Sequence, residues 1–245
     1  MFVGSCSTAV TGGEFLQGSF PVPSESVSAG ASDTAMRYLL RFPDGYVRGD
    51  DVPLVVFLHG SGDDDYDSEW LTSLALPAVI LFDGLPSTEP FALLAPEAAP
   101  GTSWDEGGQP DTVAALVDDV VSRFGIDPGR VSLTGWSMGG YGVWHVATRF
   151  PDRFARVASV SGSGYGTTDL PDGLDVCALG DVPFRAYHGA ADMISPPGPI
   201  TSIVSEWEKR CGRTIDFRLL DGVGHFAVAD LVYHDPDFYR WFLTD

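Results

Sequence analysis

Cysteine is scarce, with three residues in 245: Cys6, Cys177 and Cys211. That is too few for a disulfide framework, and no two of them have metal-ligand spacing. At most one bridge can form. Cys177 with Cys211 is the pair to expect, because Cys6 lies in a tail with little structural signal; three free thiols in a reducing compartment is the equal alternative. Positive charge is also thin: Lys plus Arg number 14 against 34 Asp plus Glu, a formal charge of −20. Such a field repels phosphate backbones and anionic lipid headgroups, which excludes nucleic-acid or electrostatic membrane binding as a primary function and favours solubility. Long apolar runs are missing too, none approaching the ~18 residues needed to cross a bilayer. Met1 to Val10 has neither a basic n-region nor a hydrophobic h-region, and Val3-Gly4-Ser5-Cys6 resembles a lipoprotein signal end without its apolar stretch. Location, secreted or cytoplasmic, and oligomeric state stay open.

What is present suffices for a packed core: 44% of residues are hydrophobic and 12% aromatic. The length is that of one domain, with residues 1–13 read as a flexible tail and 14–245 as a single folding unit. Glu14 to Phe20 reads as an edge strand, and Met36 to Phe42 as a second strand stopped by Pro43-Asp44-Gly45. Leu54-Val55-Val56-Phe57-Leu58 is apolar without alternation, as expected of a parallel strand covered on both faces. Similar runs recur at Phe91 to Ala95, Val131 to Gly135, Val157 to Val160, Phe184 to Tyr187 and Ile215 to Leu220. Helical patterns cover Thr112 to Phe124, with Asp111 as the expected N-cap, then Met138 to Phe150, Pro199 to Cys211 and Asp237 to Leu243. Strands alternating with helices predict an α/β fold with a mostly parallel sheet of about eight strands flanked by helices.

Gly135-Trp136-Ser137-Met138-Gly139-Gly140 sits between the strand at Val131 and a helix. A serine at so sharp a turn is held in strained backbone geometry with its hydroxyl exposed, and glycines flank it because a Cβ there would strike the neighbouring strand and helix. A serine hydroxyl is a poor nucleophile alone, so it needs a histidine base, and the histidine an acceptor that orients it. His188-Gly189-Ala190-Ala191-Asp192 follows one later strand and Gly224-His225 the next, which gives the chain order Ser137, Asp192, His225. His59 and His188 read as structural, His145 lies in a helix and His234 in a polar stretch, leaving His225 in the loop setting of a mobile base. Asp169, Asp172, Asp175 and Asp181 are the rivals to Asp192 and read as solvated. An oxyanion hole needs two N–H donors: Met138 supplies one, and Ser61, with Gly62 as second choice, the other.

These residues resemble the α/β-hydrolase superfamily, and within it the compact bacterial esterases grouped with phospholipase/carboxylesterases, feruloyl esterases and polyhydroxyalkanoate depolymerases. The matching segments are Tyr38-Leu39-Leu40 with Phe42-Pro43, Phe57-Leu58-His59-Gly60-Ser61-Gly62, the run from Leu133 to Gly142, Phe150-Pro151-Asp152-Arg153-Phe154, His188 to Asp192 and Gly224-His225. The resemblance implies serine-dependent ester hydrolysis with no metal or organic cofactor, and puts Ser137, Asp192 and His225 in the triad roles. It carries no substrate, because the group shares a core and varies its loops. Two features depart from it. Asp63-Asp64-Asp65, with Asp67 and Glu69, places an acidic run after the oxyanion loop, read as solvated. Ser161 to Val182 is short, with room for a small flap but no large lid.

Trp136, Trp104, Tyr165, Ile194 and Phe226 neighbour the site loops and are the expected substrate contacts, an aromatic or apolar cleft for short-chain or aromatic esters, feruloyl-type included and polyesters a candidate. The acidic field disfavours anionic substrates unless Arg185 or another base stands nearby. The partner is therefore a small-molecule or polymeric ester. A serine peptidase on the same fold would normally add a cap or propeller, and a silent binding module would have no reason to keep a complete triad.

Overall fold

The computed structural model describes residues 12–22, 35–62, 71–84, 87–106, 108–162 and 174–244. Eight strands form one sheet: β1 (Phe15–Pro21), β2 (Ala35–Arg41), β3 (Leu54–Leu58), β4 (Ala92–Pro96), β5 (Val131–Trp136), β6 (Arg156–Val160), β7 (Phe184–Gly189) and β8 (Asp216–Leu220). Their spatial order is β1-β2-β4-β3-β5-β6-β7-β8. β2 is antiparallel to both β1 and β4, and every pair from β4 to β8 is parallel. Each expected strand is present, shifted by a residue or two at its ends.

The non-alternating strands are explained by the two layers that cover them. Leu54, Val56 and Leu58 of β3 point into one apolar cluster, and Val55 and Phe57 into another on the opposite face. Helices α2 (Gln109–Phe124), α3 (Met138–Arg149) and α4 (Gly198–Cys211) pack on the first face; α1 (Ala75–Asp83), α5 (His225–His234) and α6 (Pro236–Phe242) pack on the second. Both faces of the strand are therefore dry, and a polar residue would lack water on either.

One helical expectation needs correction, and the helices α1 and α5 have no counterpart in the sequence analysis. α2 starts at Gln109 with a left-handed Gly108 as its N-cap, so Asp111 lies inside the first turn and pairs with Arg149 instead of capping. Pro110 explains the earlier start, since its fixed φ suits the first turn and its missing N–H costs nothing there. α1 was not legible as a helix: Ala75 to Phe82 is apolar all round, so no stripe stands out, although Leu76, Pro77, Val79 and Ile80 are buried while Leu81 and Phe82 face solvent.

At the start of the described residues the Gly13 N–H donates to Phe42 O and the Gly13 carbonyl accepts from Arg41 Nε. Cys177 and Cys211 form a disulfide, tying a 3-10 turn (Val176–Leu179) to the end of α4. Cys6, the acidic run from Asp63 to Glu69, and residues 163–173 of the expected small flap fall outside the described residues. No helix among the described residues is long and apolar enough to cross a membrane.

Candidate active site

β5 ends at Trp136 and α3 begins at Met138, leaving one residue, Ser137, to turn the chain. It does so at φ 58° and ψ −120°, a conformation L-residues rarely hold and one that costs on the order of 1–3 kcal/mol. The turn works only without neighbouring side chains. A Cβ on Gly139 would lie 1.9 Å from Leu58 O, and one on Gly135 2.5 Å from Gly139 O. The strain is held in place by the Ser137 N–H donating to Val160 O at 2.9 Å and the Ser137 carbonyl accepting from Tyr141 N–H at 3.0 Å.

Because β5, β7 and β8 run parallel, the loops after them emerge at one sheet edge and bring three distant side chains together. Ser137 Oγ and His225 Nε2 are 2.9 Å apart, and His225 Nδ1 is 2.7 Å from Asp192 Oδ2. With Nδ1–H donating to the carboxylate, Nε2 is left to accept the serine proton. Asp192 is buried, and its other oxygen, Oδ1, accepts the backbone N–H groups of Ile194 (3.0 Å) and Ser195 (2.8 Å). A buried carboxylate is thus fully partnered and aimed at the imidazole. His188 supports the same loop, its Nε2–H donating to Ser195 O at 2.7 Å; burial pushes this imidazole below its usual range, consistent with a neutral structural ring.

His225 departs from expectation. It is the first residue of α5 and 95% buried, where a mobile loop base was expected. The Trp136 indole N–H donates to His225 O at 3.2 Å, so the elbow and the imidazole are fastened together. The other aspartates stand apart: Asp175 caps the 3-10 turn, Asp181 pairs with Arg213, and Asp169 and Asp172 are outside the described residues.

The loop after β3 passes directly over the elbow, where a Cβ on Gly60 would lie 3.2 Å from Ser137 Cβ. Ser61 and Gly62, both exposed, follow Gly60 directly in the chain. Met138 opens α3, and the first N–H groups of a helix have no carbonyl partner within it. The loop is fixed by a network centred on His59. Its Nδ1–H donates to Gly60 O at 2.7 Å, its Nε2 accepts the Ala98 N–H at 3.0 Å, and its carbonyl accepts the Trp104 indole N–H at 2.9 Å. Burial drives the His59 pKa down to about 4, so the ring is neutral and can accept.

Trp104 is therefore no cleft wall. It is fully buried, packed on Gly142 and His59, and it braces the loop from behind. Trp136 is also buried, its ring against those of His225 and Phe226. Phe226 (60% exposed) and Ile194 (64%) stand at the rim with Met193 (89%), which directly follows Asp192 and carries no local sequence signal of its own. Tyr165 lies outside the described residues. Arg185 is not near the site: it sits at the start of β7, paired with Asp216 and lying over Trp241, and Asp192 follows that strand's other end.

The sheet order and the strand-to-helix serine turn define an α/β-hydrolase fold, and solved structures agree. A thermostable esterase superposes with a TM-score of 0.71 at 23% identity, over 93% of this chain and 62% of that one. The feruloyl esterase module from Clostridium thermocellum, complexed with sinapinate, matches at 0.65 and 13% identity over 97% and 98%. The chain belongs to the Esterase family, whose model matches residues 29–173. A bifunctional acetylxylan esterase/xylanase, XynS20E, of Neocallimastix patriciarum is 31% identical over 144 residues, 57% of this chain and 19% of that protein.

Proposed function

We propose that the chain is a serine carboxylic-ester hydrolase acting on short-chain or aromatic esters. The observation that carries this reading is the unbroken hydrogen-bond line from Ser137 Oγ through His225 to Asp192, built on a serine whose backbone is strained to present its hydroxyl. Family membership supports the ester class, and the apolar rim of Met193, Ile194 and Phe226 supports an uncharged acyl or aryl group.

In this reading Ser137 Oγ attacks the ester carbonyl carbon while His225 Nε2 takes its proton. The new oxyanion is held by the N–H groups of Met138 and Ser61, with Gly62 as the alternative to Ser61, each donor contributing on the order of 3 kcal/mol at the barrier. Asp192 keeps the imidazolium oriented. The C–O bond then breaks, the alcohol leaves with the proton from His225, and an acyl-Ser137 ester remains. Water, deprotonated by His225, attacks that ester; the acid departs and Ser137 recovers its proton.

A panel of p-nitrophenyl esters of rising acyl length, methyl ferulate and a chromogenic peptide tests the reading. The intact protein should hydrolyse the esters and not the peptide, and Ser137→Ala should lower kcat by about 10⁴- to 10⁶-fold with the fold unchanged. Equal ester turnover by the intact chain and Ser137→Ala would overturn it.

A further inference from the structure

His188 has no solvent exposure and stands one residue before the end of β7, at i−4 from Asp192. Its Nε2–H donates to Ser195 O at 2.7 Å, and its Nδ1 is buried without a partner. A buried acceptor with no donor is a cost to the fold, so packing alone does not account for an imidazole here. Its contribution lies in the bond to Ser195. That residue is gripped at both its backbone groups, its N–H donating to Asp192 Oδ1 at 2.8 Å and its carbonyl accepting from His188. Met193 and Ile194, between Asp192 and Ser195, are so exposed that packing does little to hold the turn. Ahead of Asp192 the loop is fixed by other means, the Ala190 N–H donating to Leu220 O at 2.8 Å and the Ala191 N–H to Val223 O at 3.0 Å. His188 therefore ties the part of the loop beyond the carboxylate to β7, a strand paired on both sides.

His188 Nε2 also stands 3.6 Å from Asp192 Oδ2, the oxygen that holds His225 Nδ1 at 2.7 Å. That distance is too long for a hydrogen bond. Resting on the ester-hydrolase reading above, we propose that His188 is a positioning residue: by committing its single N–H to Ser195 O, it fixes the acid loop and leaves Asp192 Oδ2 to His225 alone. The ring suits the task because it is neutral, burial outweighing both the bond to Ser195 and the charge of Asp192. Asp192 and His225 are the ionisable groups whose charge acts on it. Without the anchor the turn beyond Asp192 loosens and the carboxylate is aimed less well at His225. A carboxylate so placed stabilises the His225 imidazolium less, which raises the barrier to taking the Ser137 proton and leaves substrate binding alone.

His188→Gln and His188→Asn separate this role from packing, because the Gln amide nitrogen falls near the place of Nε2 and the Asn nitrogen near that of Nδ1. With p-nitrophenyl acetate, His188→Gln should keep kcat within about threefold of the intact chain, and His188→Asn should lose about tenfold or more with KM little changed. The acid limb of kcat/KM, which reports the base in the free enzyme, should move to lower pH by about half a unit or more in His188→Asn and stay in place in His188→Gln. Proton NMR titration of His225, assigned by its loss in His225→Gln, should show the same contrast with no substrate present. Equal kcat in the two variants overturns the proposal, and so does a loss in His188→Asn with the His225 titration unmoved. If His188→Asn does not fold, His188→Phe, which keeps a ring and has no N–H, is read in its place. If the intact chain hydrolyses no ester, the ester-hydrolase reading fails and the NMR titration alone judges His188. A shift in His188→Asn that His188→Gln lacks supports the proposal, and no shift or the same shift in both overturns it.

Discussion

Ser137, His59 and Trp104 each perform a task that another side chain could not. Ser137 holds φ at 58° because two glycines give way around it. His59 uses both ring nitrogens in opposite senses, one donating and one accepting, which only the neutral ring can do. Its pKa of about 4 in the folded chain lies below the 6.5 of the free side chain, so on acidification the unfolded chain binds this proton first. Stability is therefore full above about pH 6.5 and declines toward pH 4, by about 2 kcal/mol between pH 7 and pH 5. Urea midpoints measured across that interval should show the fall, and His59→Gln should flatten it. His188 and His145, whose pKa values burial also lowers, act with the same sign. Trp104→Phe keeps the ring and removes one donor from His59 O, with an expected loss of about 1–3 kcal/mol in stability. If Trp104 positions the oxyanion loop, the same variant lowers kcat with KM little changed in steady-state assays; a fall in stability alone would make it only structural.

Among the elements, β5 and the β3 loop matter most, since they bring the backbone at Gly60 against the elbow, a Cβ there lying 3.2 Å from Ser137 Cβ. α5 matters next, because it carries His225 at its first residue. The Trp136 indole N–H bond to the His225 carbonyl adds to the hold of that helix on the imidazole. α4 is fastened differently. The Cys177–Cys211 bridge closes a chain segment with a sequence separation of 34, worth about 3–4 kcal/mol through loop-closure entropy in the unfolded state. Guanidinium unfolding with and without reductant should show that difference. Cys177→Ser/Cys211→Ser should reproduce the reduced protein's midpoint and leave that midpoint insensitive to reductant.

Over the whole molecule the dominant quantity is the charge of −20. Like charges repel more in the compact state than in the expanded one, so the fold is held against its own field. Raising ionic strength from about 0.01 M to about 1 M shortens the screening length from about 30 Å to about 3 Å. Thermal unfolding should move to higher temperature over that range. In the same series kcat/KM for an anionic ester should rise relative to a neutral one, because the field that repels it is screened. A flat ratio would mean that the potential at the site is not that of the molecule as a whole.

The strand pattern, the serine elbow and the order Ser137, Asp192, His225 were legible in the sequence because each is a local signal. Apolar runs report two covered faces, and glycines beside a serine report a turn that tolerates no Cβ. α1 was not legible, since a helix apolar on every side has no stripe. Neither was the setting of His225, whose helix follows from packing α5 on the second face of the sheet. By sequence Trp104 reads as a cleft residue, because adjacency along the chain cannot tell the front of a loop from its back. The Cys177–Cys211 choice also stayed open, since a bridge depends on distance and not on spacing. Local chemistry thus determined which residues could form the site. Only the tertiary structure decided which of them meet, because a parallel sheet gathers its loops at one edge from positions 88 residues apart.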